Sequence, residues 1–148
     1  MAQYNRHAIA PIDVIIPEIK KYWDSSIAKM EFGGWIFNIY SMRLRTFCRA
    51  AYEDVFHCSS CKLPAQYFAV ESFRSDKKEI PSVHVNLYGM KDDEEMLFTH
   101  DHTLARSLGG ADDLSNTTMM CFKCNNLKAQ TEMKLKEELR QKVKNVND

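Results

Sequence analysis

"THDHTLARSLGGADDLSNTTMMCFKCNNLK", residues 99–128, sets two histidines around an aspartate, then a Gly-Gly pair, a lone asparagine and a Cys-x-x-Cys. A His-Asp-His cluster alone can bind a metal, move a proton or sit inert on a strand. The cysteines say more, because a second pair, Cys58-x-x-Cys61, stands well upstream. Two tight turns that each aim two thiolates at one point build a tetrahedral four-sulfur site. The ion expected from Cys58, Cys61, Cys121 and Cys124 is Zn2+. A shell closed by sulfur leaves no position for substrate, so its role is structural. His57, beside Cys58, is a weaker alternative ligand. Such a site clamps the start of a folded unit to its end.

The chain has 148 residues, 45% of them apolar and 27% charged, which bounds it to one soluble domain or a small core with an added helical segment. No stretch approaches the roughly 20 apolar residues that span a bilayer. The first residues lack the layout of a signal peptide, so the expected setting is cytoplasmic, with no membrane partner. In that compartment the five cysteines read as metal ligands or buried thiols rather than disulfides. Lys+Arg and Asp+Glu both total 20, giving zero net charge. Any binding of nucleic acid must therefore come from a local basic surface.

"PEIKKYWDSSIAKMEFGG", residues 17–34, reads as a helix that opens at Pro17 and stops at Gly33-Gly34. Ile19, Tyr22, Trp23, Ile27 and Met30 share its apolar face. A second helix covers "YSMRLRTFCRAAY", residues 40–52, with Tyr40, Leu44, Phe47, Cys48 and Ala51 on one side. Arg43, Arg45 and Arg49 are left largely off that side, and Cys48 becomes a buried thiol. "QYFAVESF", "VHVNLYG" and "MLFTHD" read as strands, with "MKDDEE" as the polar turn before the last. "ARSLGGADDLSN" is a loop and "TTMMC" a short strand. The clearest helix is the last, "FKCNNLKAQTEMKLKEELRQKVKN", with Leu135, Leu139, Val143 and Val146 at helical spacing. The expected division is a helical segment over 1–52 and a metal-bearing unit over 53–148.

Read together, residues 99–128 resemble the HNH endonucleases, in the zinc-containing branch of the ββα-metal nucleases. Asp101-His102 stand at that family's first element, with Ser107, Gly109 and Gly110 following in register. Asn116 is its middle asparagine, and Cys121-x-x-Cys124-Asn125-x-x-Lys128 completes the run. "RLRTF", "YFAVES" and "NLYG" are similar to segments of phage and mobile-element members. Ala105 stands near the family's usual Pro and Thr103 at its usual Ile, two positions that shape a loop and supply no chemistry. Asn125 replaces the family's last His, and members with Asn there pair it with the Asp to hold a metal. The implied fold is α+β: a ββα-metal core with a four-cysteine zinc, preceded by N-terminal helices and a small antiparallel sheet.

The resemblance implies a metal-dependent DNA endonuclease. Asp101 and Asn125 offer oxygen ligands to one catalytic Mg2+ or Mn2+, with waters and phosphate completing its shell. His102 is the implied general base, since imidazole titrates close to neutrality. Strand alternation sends adjacent side chains to opposite faces, so that role expects the strand to end at Asp101-His102, where the loop follows. Asn116 braces His102 through loop backbone. His100 reads as a strand histidine, as do His7 and His84. Arg43, Arg45, Arg49, Arg106, Lys123 and Lys128 are candidate phosphate contacts, while Asp92-Asp93-Glu94-Glu95 should face away from DNA. The sequence admits a homodimer, and two other functions: a junction-resolving nuclease on the same core, or a zinc-stabilised binding module that cuts nothing.

Overall fold

The computed structural model describes residues 3–22, 28–103, 109–111 and 113–147. In chain order the elements are β1 (Tyr4–Ala10), α1 (Ile12–Lys21), β2 (Lys29–Phe32), β3 (Trp35–Asn38), α2 (Met42–Tyr52), β4 (Tyr67–Phe73), β5 (His84–Lys91), β6 (Glu94–His102), β7 (Thr117–Cys121) and α3 (Phe122–Asn147). A 3-10 turn, Leu114–Asn116, precedes β7. Five strands form one sheet in the order β1-β4-β5-β6-β7, and β2-β3 stand apart as a hairpin. Every pairing is antiparallel, so the class is α+β as expected.

Alternation along the strands divides the sheet into two unlike faces. One carries Phe68, Val70, Val85, Leu87 and Phe98, which join Ile15, Ile19, Leu44, Phe47 and Cys48 in the core beneath α1 and α2. The other carries Tyr67, Glu71, Phe73, His84, Asn86, Tyr88, Thr99 and Asp101. A buried carboxylate is costly unless paired and hydrogen-bonded. Glu71, 2% exposed, accepts from Arg6 Nε at 3.0 Å, Asn86 Nδ2 at 2.8 Å and the Tyr88 hydroxyl at 2.5 Å. Arg6 reaches on to Glu95, which also accepts from Tyr67. These bonds tie β1, β4, β5 and the start of β6 together on the polar face.

β6 changes partner halfway. Glu94–Leu97 pair with β5 across a two-residue turn whose Asp92 and Asp93 have φ of 52° and 64°, while Phe98–His102 pair with β7. The strand thus gives its first half to β5 and its second half to β7 at the edge of the sheet, where α3 packs.

The N-terminal part differs from expectation. The helix begins at Ile12, with Pro11 as its N-cap and Asp13 in its first turn, and ends at Lys21. Pro17 lies inside it rather than at its start. Met30, expected on the helix, lies on β2, and Gly33-Gly34 are a hairpin turn with φ of 59° and 82°. The glycines were read correctly as a stop but for the wrong element. Trp23 and Ile27 lie outside the described residues. β1 was missed because a bulge between Arg6 and Ala8 breaks its alternation. The second helix appears as α2, its Ser41 Oγ accepting from the Leu44 N–H at 3.1 Å. Cys48 is buried there, and burial pushes its thiol up to about 11. On α3, Leu135, Leu139, Val143 and Val146 are all exposed, so that stripe is surface rather than core.

Gly89 marks the closest approach of the sheet to the cysteine loop. A Cβ there would lie 2.5 Å from the Pro64 carbonyl oxygen and 3.1 Å from a Phe98 ring carbon. Gly89→Ala should cost about 1–3 kcal/mol, the usual range for overpacking, as read by urea denaturation. Met90→Ala, at the exposed neighbour, should be nearly neutral. Equal stability of the two variants would show that the loop does not press on β5.

Candidate active site and metal centre

The four cysteines come from two separate places in the fold. Cys58 and Cys61 lie in the connection between α2 and β4, Cys121 ends β7, and Cys124 stands in the first turn of α3. Each pair makes the same turn: the Cys61 N–H donates to Cys58 Sγ, and the Cys124 N–H to Cys121 Sγ, both at 3.5 Å. The Ser59 N–H donates to the Met119 carbonyl at 2.9 Å and holds one turn against the other. All four sulfurs lie within 4.8 Å of one another, with Cys61 and Cys121 at 3.9 Å. Zn–S bonds of about 2.3 Å require tetrahedral edges of about 3.8 Å.

The electrostatics favour a cation at the same point. Burial opposes ionisation of Cys58, yet N–H groups directed at its sulfur bring the thiol down to about 6. Burial and the neighbouring sulfurs push Cys121 up to about 12, and burial raises Cys124 too. One thiolate is tolerated there; further ionisation needs a positive centre between the sulfurs. An all-sulfur donor set at this spacing fits a metal such as zinc.

β6, β7 and α3 form a ββα unit directly above this cluster. Thr99 and Asp101 face α3. The Asn125 Nδ2 donates to Thr99 Oγ1 at 2.9 Å. One turn later the Lys128 ammonium bonds Asp101 Oδ2, and the His102 carbonyl at 2.7 Å. Carboxylate and carbonyl oxygens thus converge on a positive charge, which is the chemistry a hard cation asks for. Thr99 had no role in the sequence reading. Its signal was its position, two residues before Asp101 on the same strand face.

The strand does not end at Asp101. His102 is its last residue and pairs with Thr117, so alternation sends Asp101 towards α3 and His102 to the opposite face, beside His100. The two imidazole rings lie 6.2 Å apart. Asp101 and His102 therefore border the same strand end from different sides. Asn116 stands next to it: its carbonyl accepts from the Thr103 N–H at 2.7 Å, and its Nδ2 donates to the Ala111 carbonyl at 2.7 Å.

The arginines of α2 are engaged in the fold. Arg49 donates to the Leu114 and Thr117 carbonyls, and Thr46 Oγ1 meets Thr117 Oγ1 at 2.8 Å, so α2 grips both ends of the Asn116 turn. Arg43 bonds the Val85 carbonyl at 2.7 Å and Asn86 Oδ1 at 3.3 Å. The Arg45 guanidinium stacks 5.0 Å from the Tyr40 ring centre. Lys123 is exposed at the start of α3. Arg106 and Ser107 lie outside the described residues. His7 bonds Ser72 Oγ at 2.8 Å and stacks on Trp35, in keeping with an ordinary strand histidine.

Sheet, helix and motif define a ββα-metal type of domain. Residues 89–131 match the family model described as HNH endonuclease. The matched segment contains Asp101, His102, Asn116 and Asn125. Comparison with curated proteins returned no match, and comparison with solved structures returned none. No described helix is long and apolar enough to cross a membrane.

If zinc fills the sulfur cluster, purified protein should contain one zinc per chain by elemental analysis. Because metal binding at such sites is coupled to folding, Cys121→Ser should lower the melting temperature or abolish soluble expression. A folded wild-type preparation without any soft metal would remove the metal from the account.

Proposed function

We propose that the chain is a metal-dependent DNA endonuclease that hydrolyses phosphodiester bonds with His102 as general base and one divalent cation, Mg2+ or Mn2+. The observation that carries this is the meeting of Asp101, Asn125 and Lys128 between β6 and α3, inside the segment that matches the HNH family. Asp101 and Asn125 would hold the ion, which when bound supplies charge neutralisation at the phosphate and the leaving oxygen. His102 closes β6 and borders the same strand end as Asp101 from the other face, and from there it takes the proton of the attacking water. Asn116, tied to Ala111 and Thr103, keeps the strand end in shape for that transfer. Lys128 holds the Asp101 carboxylate until the ion is bound and is then a phosphate contact.

The zinc bound by Cys58, Cys61, Cys121 and Cys124 has a structural task only. Residues 53–148 form the nuclease unit, and the segment over 1–52 braces it through Arg49 and Thr46. DNA meets the protein through Lys123, Lys128 and Arg106, with Arg43, Arg45 and Arg49 contributing to the local positive field rather than through long free side chains.

Supercoiled plasmid with added Mg2+ or Mn2+ tests this reading. His102→Ala should lose about 10²–10⁴ in rate while still binding DNA, the range for a missing general base. Asp101→Ala and Asn125→Ala should weaken the ion, with raised Mn2+ partly restoring Asn125→Ala. His100→Ala should stay close to wild type. An inactive His100→Ala beside an active His102→Ala would shift the base by two residues. No cleavage by wild type with either ion would favour the binding module instead.

A further inference from the structure

The change of partner along β6 opens a gap in the sheet. β5 pairs with β6 only from Tyr88 onwards, so His84–Leu87 and Phe98–Thr99 diverge. Arg43 crosses this gap from α2 and reaches the polar face, where Tyr4, Phe73, His84, Asn86 and Thr99 surround a cavity of about 280 Å³. Three features of the cavity are unusual together.

The first is its charge. Arg43 is drawn out of water, and that burial lowers its pKa. Among the described residues it makes no ion pair: its recorded bonds are to a carbonyl and an amide oxygen. A buried cation without a carboxylate is costly, and an anion arriving from solvent relieves that cost. The second is an aromatic wall. The Tyr4, Phe73 and His84 rings stand 5.2, 5.3 and 5.1 Å apart in pairs, and Phe73 remains 50% exposed. A ring cluster serving only to close the end of a sheet has no need to leave its largest apolar member half in solvent. The third is position. Thr99 lines the cavity and also accepts from Asn125. Asp101 follows two residues along the same face, roughly 6.8 Å on, which is the axial length of about two nucleotides.

We propose that this cavity holds an unpaired nucleotide of the substrate, its base stacked on Phe73, Tyr4 and His84 and its phosphate drawn by Arg43. The proposal rests on the nuclease reading and gives it a substrate class: DNA carrying an unstacked nucleotide within about two steps of the cut. A base inside an intact duplex has both faces covered by its neighbours, so the rings offer it nothing; a flap, gap or branch point exposes one.

The experiment uses the zinc-loaded protein with no added Mg2+ or Mn2+, so that binding is read without cleavage. The probes are a DNA duplex with one unpaired 2-aminopurine and the same duplex fully paired. Wild type should bind the unpaired probe more tightly and quench its fluorescence. Phe73→Ala and Tyr4→Ala should each lose about fivefold to a hundredfold in affinity for that probe, the range for one lost base–aromatic stack. Binding of the paired probe should be unchanged, and Phe73→Tyr should retain the preference. Melting temperatures confirm that each variant is folded. If both alanine variants bind the two probes as wild type does while plasmid is still cut, the subsite is overturned and the nuclease reading stands. If plasmid is never cut but the quench and its loss in Phe73→Ala are seen, the nuclease reading fails and the nucleotide site stands.

Discussion

Four sulfurs from two distant parts of the chain meet within 4.8 Å, and the rest of the site depends on that meeting. Cys121 is at once the last residue of β7 and the residue before α3, so fixing its sulfur fixes the angle at which the helix leaves the strand. That angle brings Asn125 to Thr99 and Lys128 to Asp101. The sulfur cluster does not act alone. Ser59 bonds Met119 from the other cysteine turn, while Arg49 and Thr46 of α2 hold the residues that enter β7. The hydrophobic core supports β4 and β5 from beneath and reaches Phe98 of β6 and Met119 and Met120 of β7. The cluster and α2 carry the same support out to β6, β7 and α3.

Zero net charge hides a strong sorting of charges. Glu71 and Glu95 are spent on Arg6 within the sheet, and Asp101 is held by Lys128 between strand and helix. Arg43 alone of these buried or half-buried groups lacks an acidic partner among the described residues, and it opens towards the face that leads to Asp101. Local placement decides what such a protein can bind, because long-range charge is screened within about 8–10 Å in physiological salt. The balance of 20 basic against 20 acidic residues therefore carried no information about the partner.

Much of the ββα unit was legible in the sequence because its determinants are local. The Cys-x-x-Cys spacing encodes a turn, the apolar alternation of "YFAV" and "HVNLY" encodes strands with one apolar face, and "FKCNNLK" begins a helix at the second cysteine pair. What was not legible depends on partners far along the chain. β1 pairs with β4, more than fifty residues on, and its Arg6 bonds Glu71 and Glu95, partners that no local period announces. "AKMEF" has helix-compatible spacing but pairs with "WIFN" once Gly33-Gly34 turn the chain. The arginines of α2 were read as surface because they fall off the apolar stripe. Arg43 and Arg49 instead reach past it to backbone carbonyls, a use that helical periodicity does not reveal. The continuation of β6 through His102 was likewise decided by Thr117, its partner across the hairpin.

A metal between the four sulfurs would hold the ββα unit in the shape the site needs. Backbone hydrogen exchange, with and without zinc removed by a chelator, tests it most directly. The account predicts that amides of β7, of the first turns of α3 and of Thr103 lose protection together on removal. Amides of β4 and β5, which rest on the core of Phe68, Val70, Val85 and Leu87, should keep most of theirs. Unchanged protection across β6, β7 and α3 in protein shown to be zinc-free would contradict it.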